Sequence, residues 1–337
     1  MSSDSLSASA SLKPDRLLHE LAQLWTSLSK DGPDAPKGAG VLRACAMTLI
    51  VFVDDEADPL VLGETLARLM RAHPSRAIVV RLREDAGVLE SRVFAQCWMP
   101  FGHNRQICCE QVEISVSINR MGDIPSIVSP LAAADVPRVV WFRATRMDDV
   151  PNIGKLLAPG DKIVVDSARP GAPGFADLRA LANAGFVIGD LAWTRLTKLR
   201  QLIAQLLNGR DLKTVANVTL EYSGSAHADG AYRGNDAPAG VKYLRAWLRS
   251  QLESAEVELR RIAGSGVPRL KAIRISPDIH IRAEENCVEY ETGGLRQRAN
   301  IPECDESALL SEELNIMSHD DIFERALQRM TAWTPKS

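Results

Sequence analysis

Apolar and polar positions run along this chain in two rhythms, one helical and one of strands. Leu17, Leu18, Leu21, Leu24 and Trp25 recur at helical spacing and predict an amphipathic helix over residues 15–29. Residues 30–40, rich in Gly, Pro and Asp, interrupt the pattern as a linker. The unbroken run MTLIVFV at 47–53 has the texture of a strand buried on both faces. Asp58-Pro59 then predicts the start of a helix carrying Leu60, Leu66, Leu69 and Met70. Apolar runs at 76–82, 138–142 and 162–165 predict further strands, and helices are expected near 126–134, 150–157 and 175–184. Residues 93–98 and 111–117 predict an antiparallel pair at an edge, with a loop at 100–104.

Strands alternating with helices of about ten residues imply an α/β fold with a largely parallel sheet and helices on both faces. The texture changes after Arg210. A strand at 214–222 precedes a Gly/Ala/Ser/Asp-rich loop at 223–240 and a helix at 241–252. Short strands follow near 270–275, 280–283, 287–291 and 295–299, with Thr292-Gly293-Gly294 as a hairpin turn, and then helices near 307–314 and 320–330. The expected organisation is a flexible leader with one amphipathic helix (1–40), an α/β domain (41–210) and a smaller α+β domain (211–337).

One segment departs from these rhythms. In DLAWTRLTKLR at 190–200, a tryptophan, two threonines and three cations sit among aliphatics. As one helix it gathers Leu196, Leu199, Ile203, Leu206 and Leu207 on a stripe that also contains Arg200, with Trp193 at its edge. A guanidinium there needs a partner, because unpaired burial of a charge costs several kcal/mol. The segment admits two readings. Arg200 either snorkels or pairs with a core carboxylate such as Asp190, or Trp193, Arg195 and Arg200 form an anchor for a binding partner, since Trp and Arg dominate hot spots. If Thr197 caps the following helix, Arg200 falls at its third position, at the wrong end of the helix dipole, and calls for a carboxylate or phosphate. The expectation is then a buried Trp193 joining the domains and an internal ion pair on Arg195 or Arg200.

Composition narrows the function classes. Hydrophobic residues make up 45% and charged residues 25%, an ordinary globular mixture, and the net charge is −3. No global pull toward nucleic acid exists, and the Arg195–Lys198–Arg200 cluster lacks a wider basic stripe, so a nucleic-acid partner is not expected. No run of about 18 apolar residues occurs. The Ser/Ala-rich start lacks a cationic flank and an apolar core, so a cytoplasmic protein with no membrane partner is expected. The six cysteines (Cys45, Cys97, Cys108, Cys109, Cys287, Cys304) form no CxxC pair or zinc pattern. Adjacent Cys108 and Cys109 bridge poorly, so structural disulfides are not expected, and redox control of an exposed thiol stays open.

Candidate chemistry is sparse. The dinucleotide fingerprint is absent after the first strand, and neither a phosphate-binding Walker loop nor a nucleophile elbow occurs. Asp54, Asp55 and Glu56 do stand at the carboxyl end of that strand, where α/β folds place ligands and three acids can hold Mg²⁺. Such a cluster is also what a solvated loop before a helix N-terminus looks like. Asp166 ends another strand and could be a base, or simply part of a Ser/Asp turn. The six histidines show no metal-ligand spacing, so neither a metal nor a cofactor is expected.

Five stretches in order resemble the OpcA family, the glucose-6-phosphate dehydrogenase assembly proteins of cyanobacteria and actinobacteria. They are RACAMTLIVFVDD at 43–55, HPSRAI at 73–78, CEQVEI at 109–114, DLAWTRLT at 190–197, and LSEEL at 310–314 followed by HDDIFERAL at 319–327. The resemblance covers residues from about 40 to 330. It implies a non-catalytic partner that binds glucose-6-phosphate dehydrogenase, promotes its active oligomer and raises its activity in the oxidative pentose phosphate pathway. The family often carries Pro after the position of Thr197, where Lys198 stands here, which weakens the helix-start signal. Cyanobacterial members are linked to thioredoxin, but the cysteine spacing of this chain gives that partner no support. The competing expectation is an enzyme acting on a sugar phosphate or nucleotide through Asp54, Asp55 or Asp166.

Overall fold

The computed structural model describes residues 13–29, 41–84, 90–100, 105–145, 155–224, 237–264 and 267–330. Residues 1–12 of the expected leader, the 30–40 linker, nearly all of the 100–104 loop, the start of the 150–157 helix and most of the 223–240 loop lie outside them. The chain packs into two compact units, Met1–Val165 with Gly185–Val187, and Asp166–Ala184 with Ile188–Ser337. The expected boundary at Arg210 marks a change of sequence texture, whereas this division marks which residues pack together.

The first unit is built on α1 (Pro14–Ser29), β1 (Val41–Arg43), β2 (Met47–Asp54), α2 (Pro59–Ala72), β3 (Ser75–Arg83), β4 (Glu90–Trp98), β5 (Gln106–Ser117), α3 (Ile124–Val128), β6 (Arg138–Phe142) and β7 (Lys162–Val165). Its sheet runs in the order β1-β5-β3-β2-β6-β7 and ends on β8 (Val187–Asp190), the strand along which the chain passes into the second unit. The pairs along β1, β5, β3, β2, β6 and β7 are parallel, and β4 adds antiparallel to β5 as the sequence implies. Central β2 and β3 are buried from Met47 to Val53 and from Ser75 to Leu82. Runs without alternation are what a strand covered on both faces requires. Asp58 caps α2 by accepting from the Leu60 amide, with Pro59 at its first position.

Two expectations fail in this unit. The helix over 126–134 shortens to α3 flanked by 3-10 turns, because Pro125 and Pro130 each remove an amide donor. A disulfide joins Cys97 to Cys108. Only the register reveals it, since antiparallel pairing sets these two residues directly opposite each other on β4 and β5.

The second unit holds α4 (Phe175–Asn183), α5 (Leu191–Thr194), α6 (Thr197–Leu207), β9 (Asn217–Ser223), α7 (Ala239–Gln251), β10 (Glu256–Ile262), β11 (Arg269–Ile275), β12 (Ile279–Ala283), β13 (Cys287–Thr292), β14 (Leu295–Asn300), α8 (Glu306–Leu314) and α9 (Asp321–Arg329). Its mixed sheet has the order β10-β9-β11-β12-β13-β14, with β10 parallel to β9 and the other pairs antiparallel. Gly293 and Gly294 turn the β13–β14 hairpin at positive φ, as the Gly-Gly signal implies. Helix α7 lies against β9, β10 and β11 and packs with α9. Among the described residues no helix is long and apolar enough to cross a membrane.

Candidate functional site

The DLAWTRLT segment forms the polar and aromatic centre of the second unit. Asp190 is fully buried at the end of β8 and caps α5. Its Oδ1 accepts from the amides of Ala192 (2.9 Å) and Ser167 (3.0 Å), and its Oδ2 accepts from the Tyr243 hydroxyl (2.6 Å). Burial drives the Asp190 carboxyl up to about 6, against the pull of these donors. The same burial, with the Asp190 charge beside it, raises the Tyr243 phenol well above its ordinary value. Three donors on one carboxylate leave it little capacity for an incoming group.

Trp193, 3% exposed, packs its ring against Tyr243 (centroids 5.7 Å apart) and Phe323 (5.6 Å), both in the second unit. The Arg200 guanidinium covers the ring, its Cζ 3.6 Å from the centroid. Arg200 does not pair with Asp190. It reaches the Thr197 hydroxyl at 3.3 Å, its Nε has no hydrogen-bond partner, and burial pushes its pKa down to about 10. Asp320, Glu312 and Glu313 partly offset that shift. The expected carboxylate or phosphate is thus replaced by an aromatic face, which attracts a cation through its quadrupole.

Arg195 meets Asp166 through two parallel hydrogen bonds of 2.7 Å, so the internal ion pair expected on one of the two arginines falls on Arg195. Asp166 is 5% exposed, while the Arg195 side chain keeps 39%. Helix α6 starts at Thr197 with Leu196 before it, and the Thr197 hydroxyl donates back to the Thr194 carbonyl at 2.8 Å. Thr197 therefore lies inside the first turn instead of capping it. The Thr194 hydroxyl stands 2.7 Å from Glu313 Oε2, and a Cβ added at Gly189 would collide with that same Glu313 side chain. Sequence reasoning missed Ser167, Tyr243, Glu313 and Phe323. The cue available was Tyr243 at a helical position that should be core, a polar-tipped residue needing a buried partner.

The first unit uses its acids differently. Asp54 accepts from the Thr145 amide with both oxygens, at 2.9 and 3.1 Å. Asp55 lies 3.8 Å from Arg83, and Arg81 donates to the backbone carbonyls of Asp54, Asp55 and Ala57. Near these strand ends a cleft of about 280 Å³ carries Arg81, Arg83 and Arg92 against Asp55, Glu90 and Glu113. Among the described residues no group of three or more His, Cys, Asp or Glu stands close enough to hold a metal ion.

These features define a class: an α/β unit and an α+β unit whose conspicuous acids and arginines are engaged in holding structure. Family comparison then gives the particular lineage. The model for the glucose-6-phosphate dehydrogenase subunit N-terminal domain matches residues 67–183, and that for the C-terminal domain matches residues 187–327. The chain belongs to this OpcA glucose-6-phosphate dehydrogenase subunit family. It is 24% identical over 296 residues to a relative from Nostoc punctiforme named OpcA for the OxPP cycle, covering 72% of this chain and 61% of the relative. A Synechocystis relative of the same name is 26% identical over 191 residues, covering 54% and 38%. The chain thus spans about three fifths of the length of the first and less of the second. Among solved structures it is similar to a Synechocystis biliverdin reductase, with a TM-score of 0.47 and 9% identity over 84% of this chain and 96% of that one.

Proposed function

We propose that this chain is a non-catalytic subunit that binds glucose-6-phosphate dehydrogenase and favours its active oligomer, within the oxidative pentose phosphate pathway. The observation that carries this reading is the consecutive match of two dehydrogenase-subunit domain models across residues 67–327. The names of the cyanobacterial relatives point to the same pathway. Asp54 and Asp166 are engaged in structural hydrogen bonds, which favours the subunit reading over a sugar-phosphate enzyme using Asp54, Asp55 or Asp166.

Such a subunit works by binding one state of its partner better than another. A coupling of roughly 1–3 kcal/mol changes an affinity about 5- to 150-fold. In this reading Trp193 and Arg200 supply the rigid frame of the contact region, and the exposed side of Arg195, beside exposed Lys198, supplies part of its surface. The cognate dehydrogenase assayed with and without the purified chain tests the proposal. Activation that saturates with added chain, and no glucose-6-phosphate oxidation by the chain alone, is the expected result. An unchanged rate at saturating chain refutes it.

A further inference from the structure

The sheet of the second unit has two unlike faces. Val218, Leu220, Val257, Ile273 and Ile275 are buried on the side against which α7 packs. The intervening residues point the other way, and the register lines them up in rows across the strands. One row runs Glu221, Ala272, Arg282, Glu289, Arg298 through β9, β11, β12, β13 and β14. The next runs Thr219, Arg274, His280, Glu291, Arg296 through the same strands.

Acids stand beside bases at the β12–β13–β14 end of both rows, Arg282-Glu289-Arg298 in one and His280-Glu291-Arg296 in the other. Arg274 reaches Glu221 at 3.2 Å and Arg296 reaches Glu289 at 2.5 Å, yet these arginines stay open, with 49% and 65% of their side chains exposed. Arg282, His280 and Glu291 are exposed. A uniformly acidic or basic partner would leave half of these charges facing their own sign. A face of interspersed signs is matched best by its own reverse.

We infer that this face is the contact between two copies of this chain, related by a two-fold axis running along β12. That axis lays β11 of one copy over β13 of the other, and β9 over β14. Arg274 then faces Glu291 of the second copy, a pairing that occurs twice by symmetry, and Arg298 of the second copy comes over the buried Glu221. Like charges meet only on the axis itself, where Arg282 has Glu289 beside it in register. The five strands that face one another, about 4.8 Å apart and five residues long at about 3.3 Å, present on the order of 400 Å² in projection. Side-chain relief raises the accessible area above this projection, and a standard interface takes roughly 800 Å² per partner. The inference is independent of the dehydrogenase reading.

The test is sedimentation of the full chain alone, from about 1 to 100 µM, for wild type, R274E and E291R, with circular dichroism melts to confirm that each variant is folded. Wild type is expected to dimerise, and each variant should weaken the homodimer by at least about tenfold through two like-charge contacts. An equimolar mixture of the two variants should recover the dimer, because every altered position then faces its opposite sign. A monomeric wild type overturns the inference, as does a dimer indifferent to both changes. A mixture that fails to recover association overturns it as well, and leaves the face to another protein.

Discussion

The guanidinium of Arg200, in the first turn of α6, lies over the Trp193 ring with its Cζ 3.6 Å from the ring centroid. The same ring packs against Tyr243 and Phe323, which also pack against each other, so the cation covers one member of an aromatic cluster. Most of the stabilisation should reside in the ring, because burial already works against the charge of Arg200.

Trp193→Ala should therefore lower stability by about 3–5 kcal/mol, the range for deleting a large buried aromatic. Arg200→Met keeps the packing volume and removes a poorly solvated cation, and should cost no more than about 1 kcal/mol. Urea unfolding of both variants compares them directly. An Arg200→Met loss as large as that of Trp193→Ala would show that the charge dominates.

Asp190 makes stability depend on pH in an unusual direction. Its carboxyl titrates at about 6 in the folded chain against 3.8 in the unfolded one. The folded state keeps the proton to higher pH, so the contribution of this group is greatest below about pH 4. It declines by up to roughly 3 kcal/mol as pH rises to 6 and beyond. Asp190→Asn retains an acceptor for the Ala192 and Ser167 amides and abolishes this titration. Between pH 4 and 7 the stability difference should move in favour of the variant. Movement in favour of wild type across that interval would contradict the burial argument.

Arg195→Ala leaves the buried Asp166 carboxylate without its two charged donors and should cost about 1–3 kcal/mol, with water reaching the vacated site and limiting the loss. Asp166→Asn should cost less and leave activation of the dehydrogenase unchanged. Full loss of function in a folded Asp166→Asn chain would revive the catalytic reading of that residue.

Gly189 is required for space, not for backbone freedom. An added Cβ meets Glu313, which is 7% exposed and tied to Thr194, so it cannot swing away without breaking that bond. Gly189→Ala is expected to destabilise by about 1–3 kcal/mol, and Gly189→Ala with Glu313→Gly to recover part of it, in thermal melts. Equal stability of Gly189→Ala and wild type would mean that Glu313 is free to move.

Uninterrupted apolar runs such as 47–53 made the central strands of the first unit legible, because a strand covered on both faces cannot disguise itself. Asp58-Pro59 and Gly293-Gly294 were legible for the equally local reason that caps and turns demand particular residues. β10 was missed although Glu256–Arg260 alternates charge with aliphatics, because the alternation is short and breaks at Arg261, and β8 was missed because four residues show no period. The Cys97–Cys108 bridge depends on a pairing register that no single segment encodes. At the site, the importance of DLAWTRLTKLR was visible as a cation, Arg200, stranded among aliphatics. Its partners Tyr243, Glu313 and Phe323 lie 50 to 130 residues away and could not be paired without the fold.

The association of this chain with glucose-6-phosphate dehydrogenase is measured most directly by sedimentation velocity of the cognate enzyme titrated with the purified chain. A heavier species containing both proteins is expected, with a shift of the dehydrogenase toward its active oligomer in proportion to the chain bound. Two boundaries that sediment independently at every ratio, with no change in the dehydrogenase oligomer, would contradict it.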